Sequence, residues 1–161
     1  MANRAKVYFN YGAMGAGKSL HLLATAHNFQ TQNIPFLIFK SEIDTRDGVG
    51  IIHSRALGDR ECVSISTNDN LYKIITRYHD KMFYTGYEPI KWILVDEAQF
   101  LTSKQVDELA AIADNFGISV ICYGLRTDFK TNLFEGSKRL FEIADSFEEI
   151  KASCHCNNKT I

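Results

Sequence analysis

The chain reads as an α/β protein built on a mainly parallel sheet with helices on both faces. Three observations predict this. Apolar strand-like runs alternate with amphipathic helical runs along the whole length. A glycine-rich loop, Gly12-Ala13-Met14-Gly15-Ala16-Gly17-Lys18-Ser19, joins the first strand to the first helix. A later apolar strand, Trp92–Val95, ends in the acidic pair Asp96-Glu97. Strands alternating with helices imply right-handed crossovers, which make a parallel sheet and cover both its faces.

The elements follow in order. Lys6–Asn10 is the first strand and Ser19–Gln30 the first helix. Pro35–Phe39 is a buried strand, and Ser41–Asp59 reads as a polar, glycine-containing loop. Val63–Ile65 forms a short strand. Asn70–Phe83 is helical, with Leu71, Ile74, Ile75 and Tyr78 on one face. Ile90–Val95 is a second buried strand. Thr102–Asn115 is a helix opened by a Thr-x-x-Gln capping box from Thr102 to Gln105. Its apolar face is Val106, Leu109, Ala110 and Ala113, and Gly117 stops it where a left-handed cap costs least. Ile118–Tyr123 is a strand, Ser137–Ala144 a helix and Glu148–Ala152 a last strand. No repeat, low-complexity segment or linker interrupts the series.

Composition narrows the class. The 161 residues suffice for one domain with a proper core. Hydrophobic residues make up 45% and charged residues 23%, an ordinary globular balance. A net charge of −1 gives no sign of a surface for coating a polyanion, which speaks against a dedicated nucleic-acid binder. No apolar run is long enough for a signal peptide or membrane span, so the expectation is a soluble cytoplasmic protein. Cys62 and Cys122 sit in apolar strand-like runs and read as reduced core residues.

Gly12–Ser19 matches every fixed position of G-x-x-x-x-G-K-[ST], with a strand before it and a helix after it. Gly12, Gly15 and Gly17 let the backbone wrap closely round phosphate oxygens, so that the N–H groups of this loop, Ala13, Met14 and Ala16 included, turn toward an anion. The helix opening near Lys18 adds its positive end. Lys18 reaches the β- and γ-phosphates, and the Ser19 hydroxyl can ligate Mg²⁺. The alternative, a glycine-rich turn that merely precedes a helix, leaves the complete match unexplained. The motif predicts a nucleoside triphosphate site.

Asp96 and Glu97 stand at the carboxyl end of a strand, where open α/β sheets bind their ligands. Asp96 is placed to hold Mg²⁺, directly or through water. Glu97 is a candidate general base for an attacking hydroxyl or water. The same Asp-Glu-Ala-Gln stretch is similar to helicase boxes. A helicase, however, grips its strand between two such domains, and this chain has one domain and no basic channel composition.

Several segments together resemble the type II thymidine kinases, the cellular, bacterial and phage family with a RecA-like fold. They are the phosphate loop, Lys40-Ser41-Glu42-Ile43-Asp44-Thr45-Arg46, Ser54-Arg55, and Val95-Asp96-Glu97-Ala98-Gln99-Phe100. Tyr123-Gly124-Leu125-Arg126-Thr127-Asp128-Phe129, Leu133–Ser137, Ala144-Asp145 and Cys154-His155-Cys156 complete the series. The resemblance spans residues 7–156. It implies transfer of the γ-phosphate of ATP to the 5′-hydroxyl of thymidine, with deoxyuridine as a further acceptor, giving dTMP for pyrimidine salvage. Small-molecule substrates, no nucleic acid, no membrane and a homotetramer are the partners it implies.

The resemblance also assigns roles. Glu97 takes the proton of the 5′-hydroxyl, while Arg46 and Lys18 neutralise charge on the transferring phosphates. Asp44 orients its loop or the metal. Asp96, Glu97, Ala98 and Gln99 join the loop in the ATP site, and Ser19 and Asp96 hold Mg²⁺. Met14, Asp44, Arg46, Phe100, Leu125 and Phe129 contact the nucleoside, with Phe100, Leu125 and Phe129 as flat apolar walls for a planar base. Arg126 has a weaker claim.

Departures from the family pattern are informative. Ala13 replaces the usual proline and Gly15 a larger residue, which loosens the loop without removing a donor. Cys154 and Cys156 match the first half of a structural Zn²⁺ site whose second half, in the family, follows a lasso loop closing over the nucleoside. Tetrahedral zinc needs four ligands, so this chain supplies half a site. Residues 1–152 are therefore read as a phosphate-loop kinase domain and residues 153–161 as the incomplete start of a zinc-binding lasso region. Two rivals remain. One is another small phosphate-loop nucleoside or nucleotide kinase. The other is an ATP-binding module impaired in catalysis for want of its lid.

Overall fold

A computed structural model of the chain describes residues 4–43, 48–54 and 56–151. Six strands form one sheet: β1 (Val7–Tyr11), β2 (Phe36–Ser41), β5 (Val63–Ile65), β6 (Trp92–Asp96), β7 (Ser119–Gly124) and β8 (Ser146–Glu149). The order is β5-β2-β6-β7-β1-β8, and every pairing is parallel. Between them run α1 (Lys18–Thr31), α2 (Leu71–Tyr84), α3 (Ser103–Phe116) and α4 (Glu135–Ile143).

The side-chain alternation of the strands divides the core in two. Ile93 and Val95 of β6, with Val120 and Cys122 of β7, pack against Leu71 and Ile75 of α2, Val106, Leu109 and Ile112 of α3, and Leu140 of α4. Leu94 and Tyr123, on the opposite face, pack against Leu22, Leu23 and Ala26 of α1. Both faces of the central strands are thus covered, which is why β6 and β7 can be apolar almost throughout.

Local chemistry sets the helix ends. The Asn70 side chain caps α2 by accepting from Lys73 N. At α3, Thr102 Oγ1 accepts from Gln105 N, and Gln105 Oε1 accepts from Thr102 N, each at 3.1 Å. The buried Gln105 amide goes further and donates to the carbonyls of Ser66 and Asp69, so the cap also anchors the segment leading into α2. Gly117 closes α3 at φ 67°, and its N–H bonds to the Ala113 carbonyl.

Two sequence expectations need correction. The segment expected as one polar loop, Ser41–Asp59, contains β3 (Ile51–Ser54) and leads into β4 (Gly58–Glu61), an antiparallel pair outside the main sheet. Ile52 docks fully buried into the α1 cluster, and that tertiary contact outweighs the glycine-rich, polar local sequence. The last strand starts at Ser146 rather than Glu148. It is a polar edge strand in register with Tyr8–Tyr11 of β1, so pairing rather than hydrophobicity defines it.

Cys62 and Cys122 are free thiols, as expected. Burial pushes Cys122 up to about 12. Cys62 rises to about 11, also chiefly through burial, with Lys40 pulling it down and Asp96 pushing it up.

Candidate active site

The phosphate loop gathers at the carboxyl ends of β1 and β7. Gly12 N donates to the Gly124 carbonyl at 3.2 Å, tying the loop to the end of β7. A Cβ at Gly12 would lie 2.5 Å from the Ile150 carbonyl, so only glycine allows that approach. Gly15 and Gly17 are needed for a different reason. Both hold positive φ, 74° and 88°, in open surroundings. Gly17 is also the N-cap of α1 and offers no side-chain cap, so the first-turn N–H groups of the helix face the loop. Lys18 Nζ folds back onto the Ala13 carbonyl at 2.6 Å.

Two strands away, β6 delivers Asp96 and Glu97. Asp96 is 3% exposed. Its Oδ2 accepts from Ser19 Oγ at 3.4 Å, and its Oδ1 accepts from Glu97 N at 3.0 Å. Glu97 follows in the left-handed region, φ 54° and ψ 40°, a conformation that side chains seldom adopt and that surrounding contacts must impose. A 3₁₀ turn, Ala98–Phe100, begins there. Gln99 Nε2 donates to Glu97 Oε2 at 2.5 Å, and Gln99 Oε1 accepts from Leu125 N at 3.1 Å. The Phe100 ring is braced edge-on by Phe134, with centroids 5.7 Å apart.

These groups surround one cavity of about 670 Å³. Met14, Gly15, Gly17, Lys18 and Ser19 form one side, and Glu97, Gln99, Phe100 and Leu125 another. All nine are residues that the sequence nominated. Gly12, Ala13, Ala16, Asp96 and Ala98 are not among the residues that line it. Sequence reasoning missed Leu20, Ile43, His53 and Ser54, which also line the cavity. Ser54 belongs to the Ser54-Arg55 segment of the family resemblance, which carries no role of its own. His53 arrives on β3, with its Nδ1 2.5 Å from Asp59 Oδ1 across the hairpin.

Phe129 does not reach this cavity. It is 91% exposed, because the Asp128 carboxylate accepts from both Lys130 N and Asn132 N and folds the segment into a tight turn that carries Phe129 outward. The Lys130 ammonium lies 5.6 Å over its ring. Arg126 is likewise absent from the lining. Asp44, Arg46, Cys154 and Cys156 lie outside the described residues. Among the described residues, no three His, Cys, Asp or Glu side chains come together as a metal cluster.

Comparison with known proteins bears on this arrangement. The thymidine kinase family model matches residues 5–161. The thymidine kinase of Rhodopirellula baltica is 45% identical over 155 residues, covering 96% of this chain and 71% of that protein. That of Zymomonas mobilis is 44% identical over 155 residues and 77% of its length. A Streptococcus pyogenes thymidine kinase is 39% identical over 156 residues and 78% of its length. Among solved structures, a DnaB-like replicative helicase, described with its interactions with primase, is similar at a TM-score of 0.59. It is 12% identical and covers 91% of this chain and 48% of that one, a likeness of fold alone.

Proposed function

Because this chain belongs to the thymidine kinase family, we propose that it transfers the γ-phosphoryl group of ATP to the 5′-hydroxyl of thymidine, giving dTMP, with deoxyuridine as a second acceptor. The observation that carries the reading is the meeting, in one cavity, of the phosphate loop, the Glu97 carboxylate and the apolar walls Phe100 and Leu125.

The loop N–H groups from Gly12 to Ser19 and the N-terminus of α1 hold the phosphates. Lys18 exchanges the Ala13 carbonyl for β- and γ-phosphate oxygens, a charge-assisted bond that strengthens as charge shifts in transfer. Glu97 accepts the proton of the attacking 5′-hydroxyl. Phe100 and Leu125 flank the base. Arg46 and Asp44 take the phosphate and loop roles that the motif implies. Phe129, turned outward, is left out of the proposed wall.

Ser19 Oγ and Asp96 Oδ2 are hard oxygen donors 3.4 Å apart. Mg²⁺ takes one or two such protein ligands and fills its octahedron with waters and substrate phosphates, so the residues fit the ion. Ser19 and Asp96 would hold the ion, which would supply positive charge to offset that of the phosphates during transfer. Cys154 and Cys156 are thiolate donors of the kind that zinc takes, two of the four it needs. No helix among the described residues is long and apolar enough to cross a membrane. A cytoplasmic homotetramer is the state that family resemblance favours, and light scattering tests the tetramer.

The deciding experiment is a thymidine phosphorylation assay on the chain and its Lys18→Ala variant, alongside ATP binding. Turnover that requires Lys18 supports the reading. Near-full activity in the variant overturns the site assignment. ATP binding without thymidine turnover in the unsubstituted chain would favour the impaired binding module instead.

A further inference from the structure

The Gln99 side chain is 2% exposed and uses both ends of its amide inside the protein. Its orientation follows from chemistry. The backbone N–H of Leu125 can only donate, so Gln99 Oε1 must face it. That turns the NH₂ group onto Glu97 Oε2. One amide therefore spans from a carboxylate to a backbone group, and both partners line the same cavity.

The surroundings leave this amide little choice of position. A Cβ on Gly124 would stand 2.7 Å from Gln99 Oε1 and 2.9 Å from Gln99 N. A Cβ on Gly136 would stand 2.8 Å from the Leu101 carbonyl and 3.1 Å from the Gln99 carbonyl, and it would overlap that of Ala98. The turn carrying Gln99 is thus seated between two bare glycines, one ending β7 and one in the first turn of α4. Ser137 Oγ donates to the Leu125 carbonyl, so the backbone of Leu125 is held from both sides. The backbone of Glu97, in its left-handed conformation, is held by Asp96 Oδ1 at its N–H and by Phe100 N at its carbonyl, while the Gln99 amide bonds to its carboxylate.

We propose that Gln99 is a positioning residue: through opposite ends of one amide it aims the Glu97 carboxylate and fixes the Leu125 wall, coupling the proton acceptor to the nucleoside pocket. This rests on Glu97 being the base and deepens that reading.

The test is a double-mutant cycle on the full chain, with Glu97→Ala, Gln99→Met and the pair. Methionine keeps the volume and removes both hydrogen bonds. With Glu97 intact, Gln99→Met should lower kcat by about 10- to 100-fold, the scale expected when a reacting group is misplaced by an ångström. In the Glu97→Ala background the same change should lower kcat less than about 2-fold, because residues acting through one another are non-additive. The thymidine KM should rise and the ATP KM should stay. If Gln99→Met does not fold by circular dichroism, Gln99→Glu keeps length and the acceptor for Leu125 N. It should then lower kcat while sparing the thymidine KM. Equal losses in both backgrounds, or a rise in the ATP KM alone, would overturn the positioning role. Full kcat in Glu97→Ala would instead overturn the assignment of the base.

Discussion

Ser19 Oγ, on the first turn of α1, lies 3.4 Å from Asp96 Oδ2 at the end of β6, across 77 positions of sequence. A hydroxyl from the phosphate loop and a buried carboxylate from the third strand of the sheet order thus share one small volume, which is where a phosphate-bound divalent ion needs its protein ligands. Asp96→Asn keeps the shape but removes the charge. It should raise the Mg²⁺ concentration needed for half-maximal turnover, measured by Mg²⁺ titration at fixed excess ATP. An unchanged titration curve would exclude Asp96 from the metal.

Glu97→Gln preserves size and can still bond to Gln99, but it cannot accept a proton. It should lower kcat by roughly 10²- to 10⁴-fold. ATP affinity, followed by a fluorescent analogue, should be almost unchanged, since nothing in the loop is altered. A variant that lost ATP binding in step with kcat would place Glu97 among the nucleotide contacts instead.

Gly124→Ala inserts a methyl against Gln99 Oε1 and the Gln99 and Ala98 amides. Overpacking of a close-packed site costs about 1–3 kcal/mol. We expect a lower melting temperature and a kcat loss out of proportion to it, because the displaced group is the one that aims Glu97. Scanning calorimetry and steady-state kinetics on the same sample read both. Unchanged values in both would mean that the turn yields easily.

The Cys122 thiol gives a pH prediction. Its folded value, pushed up to about 12 by burial, stands above the ordinary 9.0. The folded state therefore keeps its proton where the unfolded state has lost it. This contribution to stability is complete below pH 9 and declines as pH rises from there toward 12. Peptide-resolved alkylation at pH 8 should leave Cys122 unlabelled until urea unfolds the chain. Rapid labelling of the native protein would show that this strand opens locally.

How much of this was legible beforehand depends on range. The capping box at Thr102 and Gln105, the left-handed Gly117 and the phosphate loop are written in windows of a few residues, and each formed as read. The β3–β4 hairpin was not legible, because its stability comes from Ile52 entering the α1 cluster, a contact that no local pattern encodes. With the hairpin unread, His53 and Ser54 went unnoticed as cavity residues. Phe129 was nominated by motif, but its direction is set by the Asp128 turn, and apolar character says nothing about direction. Gln99 was visible as a letter of the motif. Its two partners became visible only once β7 brought Leu125 beside the end of β6.

The backbone of Leu125 has both polar groups engaged by the protein, the N–H by Gln99 and the carbonyl by Ser137. With its only donor committed, this stretch of wall offers the cavity a hydrocarbon surface. On the proposed reading, ring substituents pressed against it would be sorted by bulk and contour, and the polar edge of the base would be recognised from another side of the cavity.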